Sequence, residues 1–178
     1  MLKTTVGPEM KNLVVVLGPT ASGKTRLGVE LARELDGEIV SADSRQVYRG
    51  LDIGAGKDLD EYSSGGSPVA YHLIDIVDLD SEFSVFEYQK RFFSLFEDLL
   101  ARAVTPIVVG GSGLYLEAVL NGYRMVDVPA DPLLRADLEP LSHEALVDRL
   151  QALRRVHNTT DLEDRDRLVR AIEIAQYS

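Results

Sequence analysis

The octapeptide Gly18-Pro19-Thr20-Ala21-Ser22-Gly23-Lys24-Thr25 carries the residue types, at the spacing, that hold phosphate: it fits G-x-x-x-x-G-K-[ST] at every fixed position. Glycines let the backbone curl so that several successive N–H groups point inward, and a helix beginning near Gly23 adds the positive end of its dipole. Lys24 supplies a point charge and Thr25 a hydroxyl able to hold magnesium. Such a loop says that phosphates bind. It leaves open whether a phosphoryl group is transferred, hydrolysed or departs as pyrophosphate.

The elements that position this loop are legible in hydrophobic periodicity. After an aperiodic leader over residues 1–11, the apolar run 13–17 ends at Gly18 and predicts a buried strand. Leu27, Val29, Leu31, Ala32 and Leu35 recur at helical spacing, with Gly37 placed as a helix C-cap. Residues 38–42 predict a second strand, residues 50–68 a mobile Gly/Ser/Asp-rich loop, residues 71–77 a strand and residues 84–103 an amphipathic helix. A strand over 106–109 then runs into Gly110-Gly111, followed by a helix bearing Leu114, Tyr115, Ala118 and Val119. Strands alternating with helices predict an α/β fold, a P-loop NTPase-like parallel sheet with helices on both faces. From residue 131 the strand signals stop, and 133–153 and 162–176 both read as helix. The expected organisation is a P-loop α/β core over 1–130 and a helical C-terminal tail over 131–178 packed on it.

Ligands of open α/β sheets lie at the carboxyl ends of the strands, so Asp43, Ser44, Arg45 and Gln46, just beyond the second strand, should share the crevice with the phosphate loop. Asp43 is a candidate base there, or alternatively a turn aspartate satisfying backbone N–H groups. Gln46 has the donor and acceptor needed to read a purine edge.

Composition narrows the chemistry. The absence of cysteine excludes disulfides, thiolate catalysis and cysteine-based zinc, leaving oxygen-liganded Mg²⁺ as the expected metal. His72, His143 and His157 are too scattered for a metal site and read as surface or helix-end residues. No apolar run is long enough to cross a bilayer, which with the 45% hydrophobic content predicts a cytoplasmic protein with no membrane partner. A net charge of −10 opposes nucleic-acid binding except through a local basic face, for which residues 149–170 are the candidate.

Four segments in order, namely 18–25, Ser41-Ala42-Asp43-Ser44-Arg45-Gln46-Val47-Tyr48-Arg49-Gly50-Leu51-Asp52-Ile53-Gly54, Leu73-Ile74-Asp75-Ile76-Val77-Asp78 and Gly110-Gly111-Ser112-Gly113-Leu114-Tyr115, resemble the tRNA dimethylallyltransferase family. The similarity continues through Asp131-Pro132 and Arg135 to Arg167-Leu168-Val169-Arg170-Ala171-Ile172-Glu173. The resemblance implies attack by the N6 amine of an adenine, in tRNA or in a smaller adenine nucleotide, on the first carbon of dimethylallyl diphosphate, with loss of pyrophosphate. It implies that the phosphate loop holds the diphosphate, with Lys24 and a magnesium ion on Thr25 stabilising the leaving charge, and that Asp43 accepts the amine proton. Ser112 stands where the family commonly has threonine, placing a hydroxyl near the reacting centre or at a helix N-cap. Arg135, Arg167 and Arg170 match positions that contact tRNA, although a salt-bridged helix face is the other reading of Arg167 and Arg170. The loop Gly54-Ala55-Gly56-Lys57-Asp58 departs from the family's Gly-Thr-Ala-Lys-Pro but keeps Lys57, expected as a second phosphate contact. Family members carry further tRNA-binding segments after the Arg-x-x-Arg-Ala-x-Glu motif, so a sequence ending at Ser178 is expected to be a short or truncated member.

Two other functions share these parts. A small-molecule or nucleotide kinase uses the same loop, metal and carboxylate, but wants an arginine-bearing lid, and the loop 51–67 carries Lys57 and no arginine. The second alternative is a non-catalytic phosphate-binding module.

Overall fold

Four short strands, three of them carrying β-branched residues, pair as a parallel sheet in the computed structural model, which describes residues 13–154 and 160–177. The expectations for the leader 1–11 and for His157 fall outside the described residues. The chain divides into two compact units, Met1–Arg124 and Met125–Ser178.

In the first unit, strand β1 (Val14–Leu17) enters helix α1 (Lys24–Glu34) through the phosphate loop, and β2 (Gly37–Ala42) follows at once. Helix α2 (Asp52–Ala55), a 3₁₀ turn (Leu59–Tyr62) and β3 (Tyr71–His72) lead to α3 (Val85–Ala101), β4 (Thr105–Gly110) and α4 (Gly113–Leu120). Sheet order is β1-β4-β2-β3. Side chains alternate across it: Ile39, Ile107 and Val109 meet Val29 and Ala32 of α1, whereas Val40 and Val108 meet Tyr88, Phe92 and Leu99 of α3 and Leu116 and Val119 of α4. Helices therefore cover both faces, as the alternating pattern requires. Each fully buried aliphatic or aromatic side chain contributes about 1.5–3 kcal/mol. The Ser84 hydroxyl starts α3 by accepting from the Glu87 N–H at 3.2 Å.

Several expectations need correction. The run 13–17 is an edge strand rather than a buried one: β1 pairs with β4 alone, and Val15 and Leu17 are 37% and 66% exposed. Gly37 is the first residue of β2, and the left-handed residue after α1 is Asp36, at φ 49°. Residues 50–68 are a built segment, with α2, the 3₁₀ turn and buried Ala55, Lys57 and Tyr62. The strand expected over 71–77 pairs with β2 only at Tyr71 and His72, because Leu73 and Asp75 turn to φ 61° and 54°. His72 is accordingly a strand residue, its Nε2 lying 2.6 Å from Glu38 Oε2.

The second unit contains α5 (Pro132–Leu138), α6 (His143–Leu153), α7 (Thr160–Glu163) and α8 (Arg165–Tyr177) around a leucine-rich core of Leu138, Leu146, Leu150, Leu168 and Ile172. The single helix expected over 133–153 is broken in two. Pro140 lacks the N–H that would continue α5, and Ser142 caps α6 by accepting from Ala145 N–H. Arg165 donates to the carbonyls of Leu138, Glu139 and Leu141, satisfying the α5 end. The helix expected over 162–176 likewise begins anew at Arg165, with Asp164 accepting from the Arg167 N–H.

Two carboxylates, the half-buried Glu38 and the buried Glu173, make the fold acid-sensitive. Glu38 accepts a two-pronged bond from Arg102, at 2.7 and 3.0 Å. That bond, opposed by burial and aided by His72, lowers its pKa to about 2. In the second unit Arg135, with the Asp131 N–H and Arg170, lowers Glu173 to about 2 against burial. A carboxylate whose folded pKa is depressed stabilises the fold above its unfolded pKa, and that contribution is lost as pH falls toward the folded value. Between pH 4.5 and 2 each should release up to about 3 kcal/mol. Urea melts across this window should show stability falling steeply. Glu38→Gln should flatten the slope in the first unit.

Candidate active site

The register of the sheet aligns three loops. Leu17 of β1 faces Gly110 of β4, and Gly110 faces Ala42 of β2. The next residues, Gly18, Gly111 and Asp43, therefore leave the carboxyl edge side by side. A Cβ on Gly110 would lie 2.2 Å from the Ala42 carbonyl oxygen and one on Gly111 3.1 Å from the Gly18 carbonyl oxygen. Gly110 thus admits no side chain, and one at Gly111 would require the phosphate loop to give way slightly.

The phosphate loop is curled by left-handed residues at Ala21 (φ 61°) and Gly23 (φ 79°), and α1 begins at Lys24. Its residues 19–23 are exposed, while Lys24 and Thr25 are half-buried. The Lys24 ammonium reaches back across the loop to the Pro19 carbonyl at 3.1 Å, a bond that an incoming diphosphate can replace. No three His, Asp or Glu side chains gather as a cation cage among the described residues. A cation at the α1 terminus would lean on the Thr25 hydroxyl, ligand oxygens and water, a donor set that suits magnesium.

Beyond β2, Asp43 Oδ1 accepts from the Arg45 N–H at 2.9 Å, the turn geometry that sequence offered as its other role. No described residue donates to the second carboxylate oxygen, which leaves an acceptor at the crevice. Ser112 occupies the N-cap position of α4, yet its side chain makes no capping bond. Its Oγ accepts from the Ser44 N–H at 2.9 Å and lies 3.3 Å from Ser44 Oγ, while its own N–H donates to Ala42 O at 3.1 Å. Ser112 thus ties the β4 loop to the Asp43 turn. Arg45 extends from that turn into solvent.

Two sequence-predicted contacts are otherwise occupied. The Gln46 amide donates to the carbonyls of Ala55 and Gly56, and its oxygen accepts from Ser41 Oγ at 2.8 Å. These bonds hold the Gln46 side chain within the loop that follows β2. The Lys57 ammonium, expected on phosphate, bonds Tyr48 O, Asp52 Oδ1 and Asp75 Oδ1, and its side chain has no exposed surface.

The floor of this region was not foreseen. Tyr115 stacks on Tyr88 with ring centroids 4.1 Å apart, and the Tyr88 hydroxyl donates to Ser41 O at 3.1 Å. Burial, aided by the nearby Tyr48 and Asp43, pushes the Tyr115 phenol up to about 12. It therefore stays protonated beside the Asp43 carboxylate. The available signal was Tyr115 falling one helical turn after Ser112.

Arg135, Arg167 and Arg170 lie in the second unit. Arg135 grips Glu173 with two bonds of 2.7 and 3.0 Å, and Arg170 donates to Glu173 and to Val128 O. Both guanidinium groups remain partly exposed. Arg167 is exposed. The salt-bridged reading thus describes Arg170, with Glu173 as partner instead of Glu163, Asp164 or Asp166.

Residues 46–178 match the family described as IPP transferase, and residues 11–69 match Isopentenyl transferase. Among curated proteins, "tRNA dimethylallyltransferase 1" of Syntrophus aciditrophicus is 64% identical over 171 residues, covering 95% of this chain and 56% of that protein. "tRNA dimethylallyltransferase 2" of Syntrophotalea carbinolica is 61% identical over 93% of this chain and 54% of its own length. The chain thus spans about half the length of these relatives. Of solved structures, the full-length tRNA isopentenylpyrophosphate transferase of Bacillus halodurans superposes with a TM-score of 0.62 at 36% identity, covering 94% of this chain and 56% of that one. A eukaryotic dimethylallyltransferase acting on tRNA superposes with a TM-score of 0.68 at 28% identity, covering 91% of this chain and 40% of that one.

Proposed function

The chain belongs to the IPP transferase family, and from that premise we propose that it transfers a dimethylallyl group from dimethylallyl diphosphate to the N6 amine of an adenine in tRNA. The observation that carries this reading is the row Leu17–Gly110–Ala42, which starts the phosphate loop and the Asp43 turn from the same sheet edge with only β4 between them. A leaving diphosphate and an attacking amine need that adjacency.

In the proposed reaction the phosphate loop binds the diphosphate through inward N–H groups, with the Lys24 ammonium moving from Pro19 O onto its oxygens. The Thr25 hydroxyl would hold magnesium, which adds charge stabilisation to the diphosphate. The N6 lone pair forms a bond to the first allylic carbon, that carbon's bond to oxygen breaks, and pyrophosphate leaves with both electrons. The N6 proton passes to the open oxygen of Asp43. Ser112 and the protonated Tyr115 keep the acceptor turn and its floor in place. Arg135, Arg167 and Arg170 are assigned to the tRNA backbone, where guanidinium groups fix register without reading bases. The helical segment 131–178 is assigned to acceptor binding, and the reaction to the cytoplasm. No helix among the described residues is long and apolar enough to cross a membrane.

Product identity separates this reading from a kinase. Incubating the chain with magnesium, dimethylallyl diphosphate and an adenine acceptor should release pyrophosphate only when the acceptor is present. Conversion of ATP to ADP with an added acceptor, and no pyrophosphate from the allylic diphosphate, would overturn it.

A further inference from the structure

Lys57 is a buried cation that the proposed chemistry does not use. Its side chain has no exposed surface, and its three N–H bonds go to three separate segments: Tyr48 O in the turn after β2, Asp52 on α2 and Asp75 in the kink after β3. Burial alone would lower the lysine pKa, but its hydrogen bonds with Asp75 and Asp52 outweigh that and raise it. An ammonium so enclosed is held with its full complement of acceptors.

The segments that bear these partners are tied to the stretch that follows Asp43 through Gln46 and Val47. The kink that aims Asp75 at Lys57, at φ 54°, also directs its N–H to Gln46 O at 2.9 Å. Ile76 and Val77 N–H then bond Val47 O, and Arg49 N–H bonds Val77 O. On the opposite side the Gln46 amide is fastened to Ala55 and Gly56, immediately before Lys57. Segments 46–49, 52–57 and 75–77 thus close around one ammonium.

We propose that Lys57 is a positioning residue for the transfer reaction, a buried staple that fixes the turn carrying Asp43 against its neighbouring segments without touching either substrate. This rests on the transfer reading. It explains why a lysine whose motif suggests phosphate binding is turned wholly inward, and why an exposed turn can place a carboxylate with the accuracy that proton transfer requires.

The test compares the intact chain with Lys57→Met by three readings: calorimetric affinity for dimethylallyl diphosphate, amide hydrogen exchange over 45–49 and 75–77, and steady-state kinetics with tRNA. The expected result is diphosphate affinity within about 2-fold, exchange at those amides faster by about 10-fold or more, and kcat/KM for the acceptor lower by about 10-fold, with KM for the diphosphate unchanged. Weakened diphosphate binding with unchanged exchange would make Lys57 a phosphate ligand and overturn the proposal. Unchanged exchange and kinetics would overturn it equally. If Lys57→Met fails to fold, Asp75→Asn keeps the volume and removes one ionic partner; it should shift exchange and acceptor kinetics the same way, and unchanged values in it would overturn the proposal. Absence of transfer by the unsubstituted chain would sink the transfer reading, while hydrogen exchange would still decide whether Lys57 fixes the turn.

Discussion

Asp43→Asn should slow transfer to adenine by about 10³-fold, within the range that a positioned general base supplies. Asparagine keeps an oxygen for the Arg45 N–H that Asp43 now holds at 2.9 Å, so the turn should survive. Diphosphate affinity should stay within about 2-fold, since the carboxylate belongs to the acceptor side. Transfer by single-turnover quench and binding by calorimetry, on the same preparation, separate the two. Loss of folding or of diphosphate binding would show that Asp43 is a turn residue only.

Lys24→Met acts on the other substrate. The ammonium rests on the Pro19 carbonyl in an exposed loop, and its removal should shift stability by less than about 0.5 kcal/mol. It should weaken diphosphate binding and slow transfer by about 10²–10³-fold, because charge developing on departing pyrophosphate loses a preorganised partner. Steady-state kinetics in both substrates should place the defect on the diphosphate side, with acceptor KM nearly unchanged. The mirror-image phenotypes of the two variants distinguish a shared site from two unrelated polar loops.

Sequence revealed those features whose chemistry resides in residue identity. The phosphate loop is legible because its backbone curl favours glycine at Gly23, which takes φ 79°, and its charge demands Lys24, within one eight-residue pattern that begins at Gly18. Asp43 is legible because an apolar strand ends one residue before it. Sheet order is different: nothing local in 13–17 says that β1 pairs with β4 alone and lies at the edge. The same limit hid the role of Gly110, whose need arises from a β2 carbonyl 68 residues away in sequence, Ala42 O.

Polar side chains are hardest to read in sequence wherever their partners are distant along the chain. Ser112 stands at the N-cap position of α4, but its hydroxyl bonds Ser44, a partner that only the fold brings near. Gln46 and Lys57 look like ligand-reading groups in a flexible segment because their composition is that of a loop. Both are held inside by carbonyls and carboxylates from segments that only the fold assembles. The partial strand at 71–77 belongs with them: the left-handed kinks at Leu73 and Asp75 interrupt an otherwise apolar, β-branched run, and they serve to bring Asp75 to Lys57.

The central claim is that one sheet edge joins a diphosphate to an adenine amine. It is tested most directly by mass spectrometry of an unmodified tRNA and, in parallel, of AMP after incubation with the chain, magnesium and dimethylallyl diphosphate. The account predicts the gain of one five-carbon unit on an adenine of the tRNA, dependent on the diphosphate and absent with Asp43→Asn. No adduct on either acceptor, with calorimetry showing the diphosphate bound, would contradict it.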